Sequence, residues 1–163
     1  MIVRKMKERE LPLVIDLMQD AVHCLCKKDY TPAELAAWIP CRLDKGRFYE
    51  AMKPCINYVA VHGGIIAGFI SMEKNGYINR LFTNKSFVGQ GVGTLLLQYA
   101  EKWARENGVL QLSLDSSKTA EGFYLKRGFK KSGISTLKRG GIVFRCTVMK
   151  KDLTQGDFYG SNR

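Results

Sequence analysis

Three glycines at alternate positions, Gly89, Gly91 and Gly93, stand between an apolar strand-like segment and a strongly helical one. Glycine frees the backbone to adopt unusual dihedral angles and lets an anionic group approach the amides closely. A helix that begins at such a turn also presents unpaired N–H donors and the positive end of its dipole. We expect this helix to end near Asn107 and Gly108, since glycine is common just beyond a helix C-terminus. The pattern predicts a strand, a glycine turn and a helix that favour an anionic ligand.

Three interpretations of the glycine turn compete. The phosphate loop of ATPases needs a lysine and then a serine or threonine after its last glycine, whereas Thr94 and Leu95 follow Gly93. The dinucleotide-binding fingerprint needs the spacing G-x-G-x-x-G, which glycines at 89, 91 and 93 do not have. The third interpretation is a tight turn that binds no ligand.

Three motifs in order along the chain favour a further interpretation. The glycine turn at residues 88–93 reads V-G-Q-G-V-G, residues 120–129 read A-E-G-F-Y-L-K-R-G-F, and residues 81–83 read L-F-T. These segments resemble, respectively, the cofactor loop [RQ]-x-x-G-x-[GA], the helix A-x-x-F-Y-x-x-x-G-F and the strand L-[YF]-V of the GNAT superfamily of acetyl-CoA-dependent N-acetyltransferases. Residues 29–38 and 139–149 are similar to segments of small bacterial single-domain members. The resemblance covers residues 1–152 as one domain and leaves 153–163 as an expected flexible tail.

The resemblance implies the fold class α/β (α+β), a GNAT fold with a central mixed, mostly antiparallel twisted sheet flanked by helices. It implies acetyl-CoA as co-substrate and a primary amine of a small molecule or peptide as acceptor. The implied cofactor-binding residues are Leu81, Phe82, Thr83, Val88, Gly89, Gln90, Gly91, Val92, Gly93, Thr94, Ser117 and Tyr124.

Two positions depart from the family pattern. Val88 stands where the family has arginine or glutamine, so Lys85 or Gln90 would have to supply that function. Ser117 stands where asparagine is common. Backbone donation from the glycine loop does not depend on either side chain.

The candidate catalytic residues are Tyr124 and Glu73. By its motif position Tyr124 is implied to be the general acid, because a phenol donates a proton without first being charged; packing in the core is the alternative role. Many relatives carry a basic carboxylate where this chain has Asn79, and an amide is not a useful base. Glu73 is our preferred base, with His62 and Asp115 as the other candidates.

Charge and cysteine content narrow the function classes. The formal net charge of +11 attracts anionic ligands, but the basic residues are dispersed and no nucleic-acid motif is present, so we expect no specific nucleic-acid binding. Five scattered cysteines do not describe a disulfide framework, and His23, Cys24 and Cys26 cannot converge on one zinc ion from a helix. No metal is expected.

The sequence contains no apolar run of membrane-spanning length. We therefore expect a cytoplasmic protein, either a monomer or a homodimer.

Hydrophobic periodicity predicts the order of elements. The predicted strands cover residues 2–6, 57–62, 65–72, 77–83, 110–114 and 141–149, with helices at 11–26, after Thr31, after the glycine turn and at 119–127. Residues 39–54 are predicted to form a substrate-facing loop that includes Arg42, Asp44, Lys45, Arg47, Phe48 and Tyr49. An antibiotic, a polyamine, an amino acid and a protein N-terminus remain possible acceptors. A non-catalytic acyl-CoA sensor on the same fold is the alternative function.

Overall fold

The computed structural model describes residues 1–38 and 44–154. Seven strands and five α-helices are found in these residues. The strands are β1 (Ile2–Lys5), β2 (Ile56–His62), β3 (Ile65–Met72), β4 (Ile78–Thr83), β5 (Gln111–Ser116), β6 (Lys130–Arg139) and β7 (Ile142–Asp152). The helices are α1 (Leu11–Leu25), α2 (Pro32–Trp38), α3 (Lys45–Met52), α4 (Val92–Glu106) and α5 (Glu121–Leu125). None of these helices is both long and apolar enough to cross a membrane.

The strands form two antiparallel sheets, one in the order β1-β2-β3-β4 and the other in the order β5-β7-β6. A parallel bridge between Tyr77 and Ser113 joins them, where the amide of Ser113 donates to the carbonyl of Gly76 at 3.1 Å. The mixed, mostly antiparallel architecture flanked by helices is thus confirmed. Beyond this bridge, the ends of β4 and β5 border the cavities described below.

Helices cover both faces of the first sheet. On one face α4 buries Leu96, Leu97 and Ala100 in a core cluster that includes Ile70 of β3. On the other face α1 buries Val14 and Ile15 against residues that include Phe69 of β3. Adjacent residues of one strand therefore enter different cores, as the alternation of side chains along a strand requires.

Gly68 of β3 sets the distance between α4 and the sheet. A Cβ atom at this position would lie 2.6 Å from Cγ1 of Val92 and 3.0 Å from the carbonyl oxygen of Phe82. No real Cβ tolerates such contacts, so glycine here allows the first turn of α4 to approach β3 and β4. This approach positions the glycine turn.

Several local predictions are confirmed. The amide of Thr31 donates to Oε2 of Glu34 at 2.8 Å, and the amide of Glu34 donates to Oγ1 of Thr31 at 3.2 Å, which is the expected capping box. Gly63 and Gly64 form the predicted two-residue hairpin with φ angles of 56° and 79°. Helix α4 ends at Glu106, just before the predicted stop.

Two elements of the structure differ from the sequence-based prediction. The segment 39–54, predicted as a loop, contains helix α3, which Asp44 caps by accepting a hydrogen bond from the amide of Arg47 at 3.0 Å. Strand β6 was not predicted, because most of its side chains are exposed and give no apolar alternation. The predicted substrate residue Arg42 and the predicted flexible residues 155–163 lie outside the described residues.

Candidate active site

A cavity of about 620 Å³ opens between the ends of α1 and β4, the N-terminus of α4, and α5. We call it the glycine-loop cavity. Its walls include all the residues predicted to bind the cofactor except Gln90. The lining residues among them are Leu81, Phe82, Thr83, Val88, Gly89, Gly91, Val92, Gly93, Thr94, Ser117 and Tyr124. Segments far apart in the sequence thus meet at one site.

The glycine loop presents open backbone to this cavity. Gly89 and Gly91 both have φ near 78°, and a Cβ atom on either residue would meet nothing within 4 Å. Gly91 is the N-cap of α4. Among the described residues, no backbone acceptor is found for the amides of Val92 and Gly93. Unpaired amides beside open space at a helix N-terminus suit a phosphate group.

Gly93 brings the first turn of α4 against α5. A Cβ atom at Gly93 would lie 3.1 Å from the ring of Phe123. The ring of Phe123 in turn packs edge-on against that of Tyr124, with the centroids 5.1 Å apart. Through the ring of Phe123, Gly93 therefore links the position of the glycine loop to that of Tyr124, the candidate general acid.

Arg127 is a cavity residue that the sequence analysis missed. Its guanidinium lies 3.7 Å from the centroid of the Phe123 ring and donates from Nε to Oγ1 of Thr94 at 2.9 Å. Partial burial lowers the pKa of Arg127 from its usual value. Arg127 lies within the motif at residues 120–129, but at a position that the motif leaves variable.

The neighbours expected to compensate for Val88 do not line the cavity. Lys85 forms an ion pair with Asp20 at 2.9 Å, and the side-chain amide of Gln90 donates to the carbonyl of Ser86 at 3.2 Å. Val88 is half exposed and does line the cavity. Arg127 and Lys28 are the cationic side chains found among its described lining residues.

Strand β4 directs backbone donors away from β3. The amide of Asn84 donates to the carbonyl of Ala67 at 2.9 Å, and the register pairs Phe82 with Phe69. Because hydrogen-bonded pairs alternate along antiparallel strands, the amides of Leu81 and Thr83 point to the opposite edge. That edge borders the glycine-loop cavity.

Tyr124 lies where two cavities meet. Its ring is 6% exposed and packs against Phe123 and Phe129. No hydrogen bond from its hydroxyl to another described residue is found, and burial raises the pKa of the Tyr124 phenol. The two roles considered for this residue are therefore compatible, since the ring packs in the core while the side chain lines both cavities.

The second cavity, of about 180 Å³, extends from Tyr124 between β4, β5 and β6. We call it the arginine cavity, because Arg80 of β4 and Arg139 of β6 line it. Its other polar or aromatic walls include Trp38, Phe48, Asn79, Asp115 and Ser117. Phe48 belongs to the segment predicted to face the substrate.

The candidate bases occupy different places. Glu73 follows β3 and lines a third cavity, of about 550 Å³, together with Cys55. His62 is exposed at the end of β2, with its ring 5.8 Å from that of Phe87. Asp115 lines the arginine cavity with Tyr124, and Oδ2 of Asp115 accepts a hydrogen bond from the hydroxyl of Tyr77 at 3.0 Å. Only Asp115 of these three candidates shares a cavity with Tyr124.

No group of three or more histidine, cysteine or acidic side chains placed to hold a metal ion is found in residues 1–38 and 44–154. Cys24 is exposed and Cys26 is partly buried near the end of α1. The arrangement supplies open amides, four cationic side chains, a buried phenol and a carboxylate around two adjoining cavities.

Comparisons with known proteins show which proteins this chain is similar to. Residues 26–153 match the family described as the acetyltransferase (GNAT) domain. An uncharacterized N-acetyltransferase of Mycobacterium tuberculosis is 24% identical over 137 residues, which cover 78% of this chain and 88% of that protein.

Solved structures show the same fold. A GCN5-related N-acetyltransferase from Rhodopseudomonas palustris superposes with a TM-score of 0.89 at 26% identity, covering 93% of this chain and 94% of that one. The PaiA N-acetyltransferase of Thermoplasma acidophilum, solved in complex with coenzyme A, gives a TM-score of 0.75 at 20% identity, covering 93% of this chain and 98% of that one.

Proposed function

The chain belongs to the GNAT family of N-acetyltransferases, and from that premise we propose that it binds acetyl-CoA in the glycine-loop cavity and acetylates a primary amine that enters the arginine cavity. The observation that carries the proposal is the position of Tyr124 at the junction of the two cavities. A hydrogen-bond donor at this junction can act on a ligand in the glycine-loop cavity and on one in the arginine cavity.

The glycine-loop cavity fits the phosphates of a coenzyme A group. The free amides at the start of α4 and the open space beside Gly89 and Gly91 provide a cradle that side chains would otherwise fill. Arg127 and Lys28 add positive charge. We assign to Arg127 the role that arginine or glutamine has at the Val88 position in relatives.

Acetyl-CoA, when bound, supplies an acetyl group activated as a thioester. Tyr124 is proposed to donate its proton or a hydrogen bond to the departing sulfur. Because burial raises its pKa, the phenol of Tyr124 stays protonated at neutral pH and is always available as a donor. The amides of Leu81 and Thr83 are proposed to donate to the acetyl carbonyl or the pantetheine.

The amine must lose a proton before or during its attack. Glu73, our preferred base from the sequence, lines a cavity that Tyr124 does not share. We therefore propose Asp115 as the base. Burial, followed by the hydrogen bond to Asp115, raises the pKa of Tyr77 to about 12, so Tyr77 stays protonated and holds the carboxylate of Asp115 in place.

Calorimetric titration with acetyl-CoA tests the cofactor site. In Gly91→Glu the new carboxylate enters the phosphate cradle, and we expect the dissociation constant to rise by about tenfold or more, or roughly 1.4 kcal/mol. Gly108→Glu is the matched control, because Gly108 also has a positive φ and open space around its Cβ position. It lies beyond the other end of α4, which is roughly 22 Å long. Equal loss of binding in both variants, or no binding by the native protein, would reject the proposed site.

Tyr124→Phe tests the chemistry. We expect kcat to fall by roughly 10²–10⁴-fold while the dissociation constant of acetyl-CoA stays unchanged. The fold should tolerate the change, because the hydroxyl makes no hydrogen bond to a described residue. Unchanged kcat would remove Tyr124 from the mechanism, and cofactor binding without turnover of any amine would favour the acyl-CoA sensor.

A further inference from the structure

Two guanidinium groups face the arginine cavity without a carboxylate partner. No acidic side chain in residues 1–38 and 44–154 lies within 4 Å of the charged group of Arg80 or Arg139. The two arginines come from β4 and β6, which belong to different sheets. Their convergence is thus a product of the tertiary fold.

Arg80 is the more enclosed of the two. It is half-buried, and its guanidinium lies 4.7 Å from the centroid of the Phe48 ring. Burial, and then the nearby positive charge of Arg139, lower the pKa of Arg80. Stacking on Phe48 occupies the face of the guanidinium, but its N–H donors lie along the edge, and no acceptor for them is found among the described residues.

Arg139 is exposed but is held in a defined position. It donates from Nη1 to the carbonyl of Trp38 at 2.9 Å, and its guanidinium lies 5.6 Å from the Trp38 ring. Burial lowers the pKa of Arg139 as well. One fixed edge leaves other N–H donors of Arg139 available to the cavity.

Two other partly buried cations of this protein differ from Arg80 and Arg139. Arg4 is paired with Glu10, and Lys151 is paired with Glu101 at 2.7 Å with both side chains 15% exposed. Each of these two partly buried cations thus has a carboxylate partner. Arg80 and Arg139 lack one. Their proximity raises the free energy of the empty cavity because like charges repel, and the partial burial of Arg80 also removes solvating water.

We propose that the acceptor is a small amino acid-like molecule whose carboxylate binds between Arg80 and Arg139 while its amine lies near Asp115. This inference rests on the proposed function of the arginine cavity as the acceptor site. The planar guanidinium fork matches a carboxylate in two parallel hydrogen bonds. A cavity of about 180 Å³ is below the usual roughly 300–1,000 Å³ of sites for drug-sized ligands, which favours a small acceptor.

The opposite charges of the cavity match the two ends of such an acceptor. Asp115 is the carboxylate found among the described lining residues, and it comes from β5. An ammonium group is attracted to Asp115, and a carboxylate is attracted to the two arginines. A polyamine, in contrast, would place a second positive charge beside Arg80 and Arg139, which disfavours its binding.

The test compares acceptors that differ only in the carboxylate. The twenty L-amino acids and their carboxamides are assayed with acetyl-CoA by release of thiol. We expect at least one amino acid to have a kcat/KM at least about tenfold above that of its amide, even though the amine of an amide is the easier one to deprotonate. Equal rates for each pair, or a preference for amides or polyamines, would overturn the proposal.

The variant Arg80→Met tests whether Arg80 binds the carboxylate of the acceptor. Methionine keeps an unbranched apolar chain over Phe48 but removes the charge, so we expect KM for the preferred amino acid to rise at least about tenfold and the preference over its amide to disappear. Arg145→Met is the matched control, because Arg145 is an exposed arginine of β7 that does not line the cavity. Acetyl-CoA binding should be unchanged in both variants, which shows that each is folded.

A binding measurement tests the proposal in the case that the enzyme acetylates none of these amines. Each amino acid and its amide are titrated calorimetrically into the native protein and into Arg80→Met. Saturable binding of an amino acid that is lost in its amide and in the variant supports the proposal, whereas no selective binding overturns it. Failure of acetyl-CoA itself to bind is a separate result, which rejects the proposed function instead.

Discussion

Nε of Arg127, two residues beyond α5, donates to Oγ1 of Thr94 in the first turn of α4 at 2.9 Å. The hydrogen bond places a positive charge beside the free amides of the glycine loop. It also ties the helix that follows the glycine loop to the segment 120–129. We propose that this charge takes the place of the arginine or glutamine that relatives have at the Val88 position.

Replacing Arg127 by methionine should weaken acetyl-CoA binding by about tenfold or more, because a hydrogen bond to a charged group contributes roughly 1.5–3 kcal/mol. The affinity should also become less sensitive to salt, since one cation no longer faces the phosphates. Calorimetric titration at two salt concentrations measures both effects. Lys126→Met removes the same charge from the adjacent exposed position and should have little effect. Equal effects of the two substitutions would mean that net charge, not the position of Arg127, governs binding.

Gly68→Ala should lower the free energy of unfolding by about 1–3 kcal/mol, because its Cβ overlaps Val92 and Leu96 and the packed core yields little. Displacement of α4 should weaken acetyl-CoA binding at the same time. Urea denaturation and calorimetry measure the two effects. Gly133→Ala is the matched strand control, because a Cβ atom there meets nothing within 4 Å. A neutral Gly68→Ala would show that α4 can move away from the sheet at little cost.

Glu10 should make stability depend on pH in the acidic range. Its carboxylate accepts from Nη1 of Arg4 at 2.9 Å and from the amide of Lys7 at 2.8 Å. The hydrogen bond from Arg4, the largest cause, lowers the pKa of Glu10 to about 2. A lowered folded-state pKa stabilises the protein above the unfolded-state value of about 4.3, and this stabilisation is lost as the pH falls toward 2.

We therefore expect about 1–2 kcal/mol of stability to disappear between about pH 5 and pH 2, after allowing for solvent screening around the partly exposed Arg4. Denaturation in urea across this range measures it. The Glu10→Gln variant should have a flatter profile. Glu106→Gln, which alters the exposed pair with Lys102, should keep the native profile. Identical profiles for native protein and Glu10→Gln would contradict the assignment.

The glycine turn and the helix that follows it could be predicted from the sequence because their features are local. Positive φ angles at Gly89 and Gly91 are a property of glycine itself, and the start of a helix is read from nearby residues. The position of Arg127 could not be read in this way, since its contact with Thr94 spans 33 residues of sequence. Arg80 and Arg139 likewise meet only because two sheets converge.

The missed elements have physical reasons as well. Helix α3 buries only Phe48 and Met52, and Gly46 in its first turn has low helix propensity, so its periodicity is faint. Strand β6 exposes most of its residues, and pairing with β7, not an apolar face, keeps it extended. Both elements frame the arginine cavity, where the sequence offered the least information.

The identity of the base can be decided by the pH dependence of two variants. If Asp115 takes the proton of the amine, Asp115→Asn should lower kcat/KM by roughly 10²–10⁴-fold at pH 7, and the deficit should shrink as the pH rises and more of the amine is already neutral. Tyr77→Phe should cause a smaller loss with the same pH trend, because Tyr77 only holds the carboxylate. Glu73→Gln is measured alongside. A pH-dependent loss in Glu73→Gln together with normal rates in Asp115→Asn would assign the role to Glu73, and with it an amine that reaches the active site from the third cavity.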